Sequence, residues 1–247
     1  MALYHKLKRL IGRALHRYEM LAPGDRVLVA LSGGADSLVL TYFLAEWRRK
    51  VPFDYELLAV HLDMGFDRGP GYRQGLSALE RFCEELGVPF RVLDTDCASQ
   101  ALKAAERGKP SPCFVCSWHR RKYLFRLAGE ENFNKIAFGH HRDDLVVTFF
   151  LNMCFHGELS TIVPVQEMFG GRLYLIRPLV LVEKSALKAF AQREGFPVLE
   201  NPCPFSGETR RVFMERWLEE HLYTINPKVR GSVFRAIFNC RPEYLPR

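Results

Sequence analysis

Short apolar runs recur along the chain and predict the strands of a buried sheet. The first is Val27–Leu31, an unbroken apolar run followed by a Ser-Gly-Gly turn. A run of this length bounded by turn residues is typical of a strand that is buried on both faces. Further runs of the same character predict strands at 57–60, 90–93, 136–138 and 173–176, with 197–199 as a weaker candidate for a short edge strand.

Segments with helical periodicity lie between these runs. Over residues 2–20, apolar residues recur at spacings of three and four with Lys and Arg on the other side, which predicts a basic amphipathic helix. Other helices are predicted over 36–47, 76–86, 117–128, from 142 and over 183–194, and two basic helices from about 208 are broken at Asn226-Pro227. The segment 94–112 is polar and poorly patterned. The alternation of strands and helices predicts an α/β fold with a doubly wound, parallel, five-stranded sheet.

The turn after the first strand has the composition of a phosphate-binding loop. It reads Ser32-Gly33-Gly34-Ala35-Asp36-Ser37 and leads into a predicted helix. Adjacent glycines let the backbone approach an anion, and the N–H groups and dipole of a helix N-terminus favour negative charge. The serine hydroxyls add donors, and the Asp36 carboxylate suits a magnesium-bound phosphate. We predict a pyrophosphate site; the alternative is an ordinary strand–turn–helix corner that uses glycine only for its geometry.

Polar residues also follow the other predicted strands. Ligand-binding residues of a parallel sheet lie beyond the carboxyl ends of its strands, so we expect Ser32 and Asp63 in one pocket. His140 and Asp143 follow the fourth strand in the segment Gly139-His140-His141-Arg142-Asp143-Asp144. The acidic residues at this helix start suit magnesium, and the histidines are alternatively helix caps.

Among seven cysteines, Cys113 and Cys116 have the spacing at which two thiolates reach one metal or cluster. Alone, the pair is compatible with half of a zinc site, a redox dithiol or coincidence. Cys203, in a proline-flanked loop, is the first candidate for a further ligand, and Cys154 and Cys240 are the reserves. We otherwise expect the remaining four, Cys83, Cys97, Cys154 and Cys240, to be buried small apolar side chains. Core positions are also expected for Phe149, Phe150, Met153 and Phe155.

Composition and charge restrict the possible functions less than the motifs do. The 247-residue chain is 48% hydrophobic, as expected of a globular domain with a sizeable core. Its net charge of +7 and pI near 9.1 favour a polyanionic partner without identifying it. Charged residues interrupt the N-terminal apolar positions, and the longest apolar run, 145–155, is too short to span a bilayer. We therefore expect a cytoplasmic protein with reduced thiols and no membrane association.

The order of these motifs resembles that of the tRNA 2-thiocytidine synthetase family (TtcA-like), in the PP-loop superfamily of N-type ATP pyrophosphatases. The resemblance covers roughly residues 20–240. It rests on the loop at 32–37, the Cys-x-x-Cys pair, the segment 139–144, Ile176-Arg177-Pro178-Leu179 and the later Cys203. It implies an adenine nucleotide α-hydrolase-like fold with three parts: a basic helix at 1–22, a PP-loop domain with an inserted Cys-x-x-Cys segment at 23–205, and basic helices at 206–247.

The resemblance also implies a site. The phosphates of ATP, with Mg²⁺, would be held by Ser32, Gly33, Gly34, Asp36 and Ser37, and the nucleotide pocket would be lined by Asp63, His140 and Asp143. An oxygen-sensitive 4Fe–4S cluster would be held by Cys113, Cys116 and Cys203. The family's basic residue after the second cysteine falls on Arg120, which joins Asp36 and Asp143 as the implied catalytic set.

The implied reaction is thiolation of tRNA. ATP would adenylate the C2 oxygen of an anticodon-loop cytidine, and sulfide carried by the cluster would replace that oxygen and release AMP. The implied partners are tRNA and a sulfur donor such as a cysteine desulfurase, with a homodimer left open.

Two departures from the family pattern keep alternatives open. Ala35 stands where the family usually has Lys, and Arg120 or Arg142 is the candidate replacement for that cation. Cys203 has no second cysteine beside it, which leaves the modified nucleotide open and makes a tRNA 2-thiouridine synthetase the first alternative. The others are a lysidine synthetase, which activates the same kind of oxygen without cysteines, and a zinc-binding RNA-binding module.

Overall fold

A mixed sheet lies at the centre of the chain. The computed structural model describes residues 1–66, 69, 71–108, 110–200, 203–205, 207, 209–226 and 228–244. The strands are β1 (Arg26–Ala30), β2 (Glu56–Asp63), β3 (Phe90–Asp94), β4 (Lys135–Ala137), β5 (Val165–Met168) and β6 (Leu173–Ile176). The helices are α1 (Ala2–Arg17), α2 (Ala35–Arg48), α3 (Tyr72–Glu85), α4 (Cys97–Arg107), α5 (Pro112–Glu130), α6 (Arg142–His156), α7 (Lys184–Arg193), α8 (Arg210–Trp217) and α9 (Val229–Ile237).

The described strands form a six-stranded sheet in the order β3-β2-β1-β4-β6-β5. All neighbours run parallel except β5, which is antiparallel to β6. The prediction of an α/β fold around a parallel sheet is confirmed, and the strand count differs by β5. This edge strand, Val-Gln-Glu-Met, escaped the prediction because two polar residues occupy its centre and it has no apolar run.

Helices cover both faces of the sheet, which explains the unbroken apolar run in β1. Val27 and Val29 pack into a core cluster with α1, α2 and α7, whereas Leu28 packs on the other face with Leu124 and Leu127 of α5. Because successive side chains of a strand point to opposite faces, a strand between two helical layers needs apolar residues throughout.

One helix was not predicted from the sequence, and one predicted strand was wrong, each for an identifiable reason. The unpatterned segment 94–112 contains α4, whose buried face consists of Cys97, Ala98, Ala101 and Ala104. Small residues at helical spacing bury an apolar stripe that contributes little hydrophobic signal. Residues 197–199 are not a strand; the backbone N–H of Leu199 instead donates to the carbonyl of Gly33 at 2.9 Å.

The described C-terminal residues fold into helices, as predicted, and these pack on α6; part of the predicted break, Pro227, lies outside the described residues. Val146 and Val147 are buried against Met214 and Leu218 of the C-terminal segment. This packing ends at Leu151. Phe149 and Phe150 are half-buried, and Met153 and Phe155 on the last turn are exposed. The prediction that Met153 and Phe155 are core residues was therefore wrong. Across the described ranges, no helix combines the length and apolarity that crossing a bilayer requires.

A buried ion pair joins β1 and β4 at the amino-terminal edge of the sheet. The Lys135 ammonium lies 2.5 Å from Asp25 Oδ2, and both side chains are at least nine-tenths buried. Asp25 also accepts from the Asn134 amide at 2.8 Å and from the backbone N–H of Ala22 at 2.6 Å. The carboxylate is therefore surrounded by donors, and the lysine neutralises its charge.

Lys135→Met should reduce the free energy of unfolding by about 3–5 kcal/mol, because it leaves a buried carboxylate without its cation. Urea denaturation measures the loss. The double variant Asp25→Asn/Lys135→Met should recover part of it, because neither buried charge remains while the new amide oxygen can still accept from the N–H of Ala22. A single variant that loses less than about 1 kcal/mol, as an exposed pair would, contradicts this role.

Candidate active site

A cavity of about 580 Å³ opens at the carboxyl ends of β1 and β2. Its walls come from the loop after β1, the end of β2, the first turns of α5 and the chain from Leu199 to α8. The predicted site residues among its lining are Ser32, Gly34, Asp63, Cys113, Cys116, Arg120 and Cys203. Parallel strands place their functional loops on one edge, and the sheet topology therefore brings these residues together.

The loop after β1 has the geometry of an anion cradle. Gly33 has a φ of +84°, a conformation that glycine adopts without strain. The hydroxyl oxygens of Ser32 and Ser37 lie 3.1 Å apart, and Ser37 donates to the carbonyl of Gly34 at 2.9 Å. α2 starts at Ala35 without a side-chain cap, so its first N–H groups remain available to a ligand.

Two glycines also allow other parts of the chain to pack closely against this loop and hold it in place. A Cβ at Gly33 would lie 2.8–2.9 Å from the side chain of Leu199. A Cβ at Gly139, which follows β4, would lie 3.2 Å from the backbone nitrogen of Ser37 and 3.3 Å from the carbonyl carbon of Asp36. The loop is therefore held between Leu199 on one side and the end of β4 on the other.

Asp63 ends β2 and lines the cavity beside a histidine that is held neutral. Asp63 Oδ1 accepts from the backbone N–H of Gly65 at 3.0 Å. His61 Nδ1 lies 2.9 Å from the Leu31 carbonyl, so this nitrogen carries the proton and Nε2 accepts from the Tyr72 hydroxyl at 3.1 Å. Burial lowers the pKa of His61, in agreement with a neutral ring.

The three predicted thiols line the same cavity. Cys113 and Cys116 belong to the first turns of α5, which Ser111 caps by accepting from the Phe114 N–H at 3.4 Å. Burial raises the pKa of Cys116 to about 11, with Arg120 opposing and the other cysteines adding to the rise. Burial and then Cys203 raise the pKa of Cys113, whose sulfur lies 4.0 Å from the Phe205 carbonyl. The thiolates therefore need a nearby cation to be stable.

These thiols share a wall of the cavity without forming a finished ligand shell. Within the part of the chain that the structure describes, no group of three or more His, Cys, Asp or Glu side chains is arranged to hold a metal ion. Cys83 and Cys97 are buried, as expected, but Cys154 and Cys240 are exposed, and the expectation that these two are buried was wrong. None of the four is among the described residues that line the cavity.

His140 and Asp143 do not line the cavity. Asp143 accepts from the backbone N–H of Lys184 at 2.8 Å and from the Arg230 guanidinium at 2.9 Å, so it ties α6 to α7 and α9. Its pKa is lowered to about 2: burial opposes this, but the nearby His141 ring, the hydrogen bond from the Lys184 N–H and the charge of Arg230 outweigh it. His140 is half-buried, and its Nδ1 atom has no hydrogen-bond partner among the described residues.

His141, rather than His140, approaches the anion cradle. Its Nε2 atom lies 3.4 Å from Asp144 and 3.8 Å from Asp36 Oδ2. Burial disfavours the charged ring, but the surrounding carboxylates have the larger effect, and the pKa of His141 is raised. Asp36 Oδ1 is buried without a hydrogen-bond partner in the described chain, and burial raises the pKa of this carboxyl group. Asp36 therefore retains one unused oxygen beside the loop.

The sequence did not identify Leu199 and Arg211 as site residues. Arg211 of α8 lines the cavity, is ion-paired with Asp144 and has its Nε 3.3 Å from Glu215. Only the basic character of the C-terminal helices hinted at it. Arg142, a predicted replacement for the lysine absent at position 35, contacts Glu183 at 2.7 Å and lies over the ring of Phe234, outside the cavity lining.

Comparisons with known proteins show the family of this chain. Residues 3–221 match a family described as a PP-loop domain. The chain is 37% identical over 246 residues to a tRNA-cytidine(32) 2-sulfurtransferase of Alkalilimnicola ehrlichii, covering 98% of this chain and 76% of that protein. It is likewise 37% identical over 244 residues to one from Geobacter sulfurreducens, covering 98% of this chain and 92% of the relative.

Solved structures give the same fold. The U34-tRNA thiolase NcsA from Methanococcus maripaludis, described with its [4Fe-4S] cluster, superposes with a TM-score of 0.79 at 25% identity and covers 96% of this chain and 79% of that one. An NMN synthetase from Francisella tularensis has a TM-score of 0.55 at 13% identity, covers 100% of this chain and 99% of that chain, and shares the fold.

The desolvation of the His140 ring, whose Nδ1 atom is buried, predicts a pH-dependent stability. Desolvation lowers its pKa from 6.5 to about 4, against the charge of Asp144. Between these values the unfolded chain binds the proton and the folded chain does not, so stability should fall as the pH is lowered through this window. His140→Asn should flatten the dependence of the urea midpoint on pH, although His61 acts in the same direction.

His156→Asn, at an exposed position of α6, is the matched control and should leave the dependence unchanged. An unaltered slope in His140→Asn would show that this ring titrates equally in both states.

Proposed function

This chain belongs to the PP-loop domain family and, within it, to the tRNA-cytidine(32) 2-sulfurtransferases, and we propose on that basis that it replaces the C2 oxygen of a tRNA cytidine by sulfur at the expense of ATP. The observation that carries the proposal is the shared cavity, which is lined by Ser32 and Gly34 of the anion cradle and by Cys113, Cys116 and Cys203. Activation of an oxygen and delivery of sulfur must meet at one carbon atom, so the two groups of residues have to face one space.

The anion cradle is the proposed site for the phosphates of ATP. The serine hydroxyls and the first N–H groups of α2 would hold the phosphates, and the C2 oxygen would attack the α-phosphorus while its bond to pyrophosphate breaks. The unpartnered oxygen of Asp36 fits a hard divalent cation, and Mg²⁺ bound there would neutralise phosphate charge. Asp143 acts in this proposal as a positioning residue: its charge, 3.6 Å from His141 Nδ1, favours the protonated ring that lies beside Asp36.

Two arginines can supply the cation that Ala35 does not. Arg120 lines the cavity and has no ion pair with the residues that the structure describes, so its charge is available. Arg211 also lines the cavity but is engaged by Asp144 and Glu215. We therefore assign the phosphate contact to Arg120, in agreement with its proposed catalytic role, and a supporting role to Arg211.

The donor set in the cavity fits a cluster held by three cysteines. Thiolates are preferred ligands of iron–sulfur clusters, and a positively charged iron centre would offset the burial and the neighbouring thiols that raise the pKa of Cys113 and Cys116. A tetrahedral zinc site needs a further ligand; in the described lining, His61 has both ring nitrogens engaged and Asp63 Oδ1 accepts from the N–H of Gly65. A 4Fe–4S cluster with three cysteine ligands supplies an iron at which sulfide can be held.

The target base must reach the cavity from unpaired RNA. The C2 position of a paired cytosine is enclosed in the duplex, so a cytidine in a loop, or one turned out of the stack, is the accessible substrate. Sulfur would form a bond to C2 as the bond to the adenylated oxygen breaks and AMP leaves. A cysteine desulfurase is the proposed sulfur donor, the reaction is placed in the cytoplasm, and a homodimer stays open.

Cys113→Ala should abolish tRNA thiolation and leave ATP binding unchanged, because it removes one cluster ligand from the cavity and leaves the residues of the anion cradle in place. Anaerobically purified protein provides the measurements: iron and acid-labile sulfide content, ATP affinity, and mass spectrometry of the tRNA nucleosides after incubation with ATP and sulfide.

Cys154→Ala, at an exposed position outside the described cavity lining, is the matched control and should keep iron, colour and activity. Full thiolation by Cys113→Ala would remove the cluster from the mechanism, and a colourless wild-type protein containing zinc would favour an RNA-binding module.

Gly139→Ala should lower kcat/KM for ATP by up to about 100-fold, because the added methyl group displaces the backbone of Asp36 and Ser37 and misplaces the cradle. Gly129→Ala on α5 has nothing within 4 Å of its Cβ and serves as the matched control. Steady-state kinetics with thermal denaturation separate the two, and equal kinetics in both variants would show that the contact at Gly139 does not set the loop.

A further inference from the structure

A shallow depression lies on the outer face of α8, directly beside the cavity. It has a volume of about 340 Å³ and is lined by Gly207, Thr209, Arg210, Val212, Phe213 and Arg216. Thr209 and Val212 also line the cavity. The depression therefore adjoins the proposed reaction site, with these two side chains between them.

The depression presents an aromatic ring to solvent. Phe213 is 59% exposed, although the other face of α8 is packed through the buried Met214. Phe213 lies four residues after Thr209 and three before Arg216, and Val212 lies three after Thr209 and four before Arg216, so the four side chains share one face of the helix. Among the residues that the structure describes, no other ring packs on Phe213. The exposed face of this ring, beside a reaction cavity, is therefore available for a ligand to stack on.

Unneutralised positive charge flanks this ring. Arg210 and Arg216 are both exposed, and neither has an acidic partner within the described ranges. The Arg210 guanidinium instead lies 4.9 Å from the ring centre of Phe155. Arg211, on the inner side of the same helix, is by contrast ion-paired with Asp144. The helix therefore neutralises its inner arginine and leaves its outer ones available to an anionic ligand.

We propose that this depression binds one unpaired nucleotide of the RNA, adjacent to the base that enters the cavity. The neighbouring base stacks on Phe213, and the phosphates beside it contact Arg210 and Arg216. A π-face between guanidinium groups is the chemistry by which proteins hold single-stranded nucleic acid, and it tolerates any base. The inference rests on the proposed function, since it adds a subsite for the same RNA.

The subsite can be tested with the full-length protein and a fluorescein-labelled anticodon stem-loop RNA. Phe213→Ala should weaken RNA binding about 5- to 150-fold, the range that loss of one stacked base gives, and Phe213→Tyr should restore it. The KM for tRNA should rise more than kcat falls, and ATP affinity should not change. Arg216→Gln should reduce the slope of log K against log salt by about one unit.

Phe169 and Arg172 provide matched controls at the opposite edge of the sheet. Phe169 is 53% exposed in the turn between β5 and β6, and Arg172 is an exposed residue of the same turn. Phe169→Ala and Arg172→Gln should bind RNA like the wild type. If Phe213→Ala binds the RNA as tightly as Phe169→Ala does, the subsite is refuted. This holds also if Phe213 turns out to contact a protein partner, because RNA affinity would then be unchanged.

The two levels of the proposal fail differently. A wild-type protein that forms no thiolated cytidine with ATP, sulfide and tRNA would defeat the proposed function. Normal thiolation by the wild type together with unchanged RNA affinity in Phe213→Ala would defeat the subsite alone. Weakened binding in Phe213→Ala, with rescue by Phe213→Tyr, supports the subsite, and formation of thiolated cytidine by the wild type supports the proposed function.

Discussion

The contact between Leu199 and Gly33 is the constraint on which the arrangement of the site depends. The Leu199 N–H donates to the Gly33 carbonyl, and its side chain occupies the space that a Cβ at Gly33 or Gly75 would fill. This contact brings the chain that precedes Cys203 against the anion cradle. The cradle on β1 and the cysteine-bearing segment, which are remote in sequence, therefore bound a common volume. A residue with a side chain at position 33 could not satisfy both the left-handed backbone and the close packing.

Much of the fold was predictable, because the central strands are covered on both faces and must be apolar throughout. β1 and β2 follow from this requirement alone. α4 and β5 did not, since the alanine stripe of α4 has little hydrophobic contrast and β5 is an edge strand with polar central residues. At the end of α6 the sequence predicted burial where there is none. Met153 and Phe155 are apolar, as core residues are, but they lie beyond the part of α6 that is buried against the C-terminal helices.

The site was predictable in so far as its residues follow strands or lie in a spaced motif. Ser32 and Asp63 follow neighbouring parallel strands, and the parallel topology requires their loops to share an edge. Arg211 and Leu199 were not predictable, because only the tertiary path of the chain brings them to the cavity. Asp143 shows the converse case. It follows a strand, as a ligand-binding residue would, but Lys184 and Arg230 occupy both of its carboxylate oxygens.

The ion pair of Asp25 and Lys135 has a consequence for how such a protein can change over evolutionary time. It locks β1 to β4 at the edge of the sheet that faces away from the chemistry. The stabilising ion pair and the reaction cavity thus lie at opposite ends of β1. Substitutions in the cavity-lining loops leave this ion pair intact, because it lies at the other end of the strands. Packed glycines such as Gly33 are the exception to this freedom, since a side chain there does not fit.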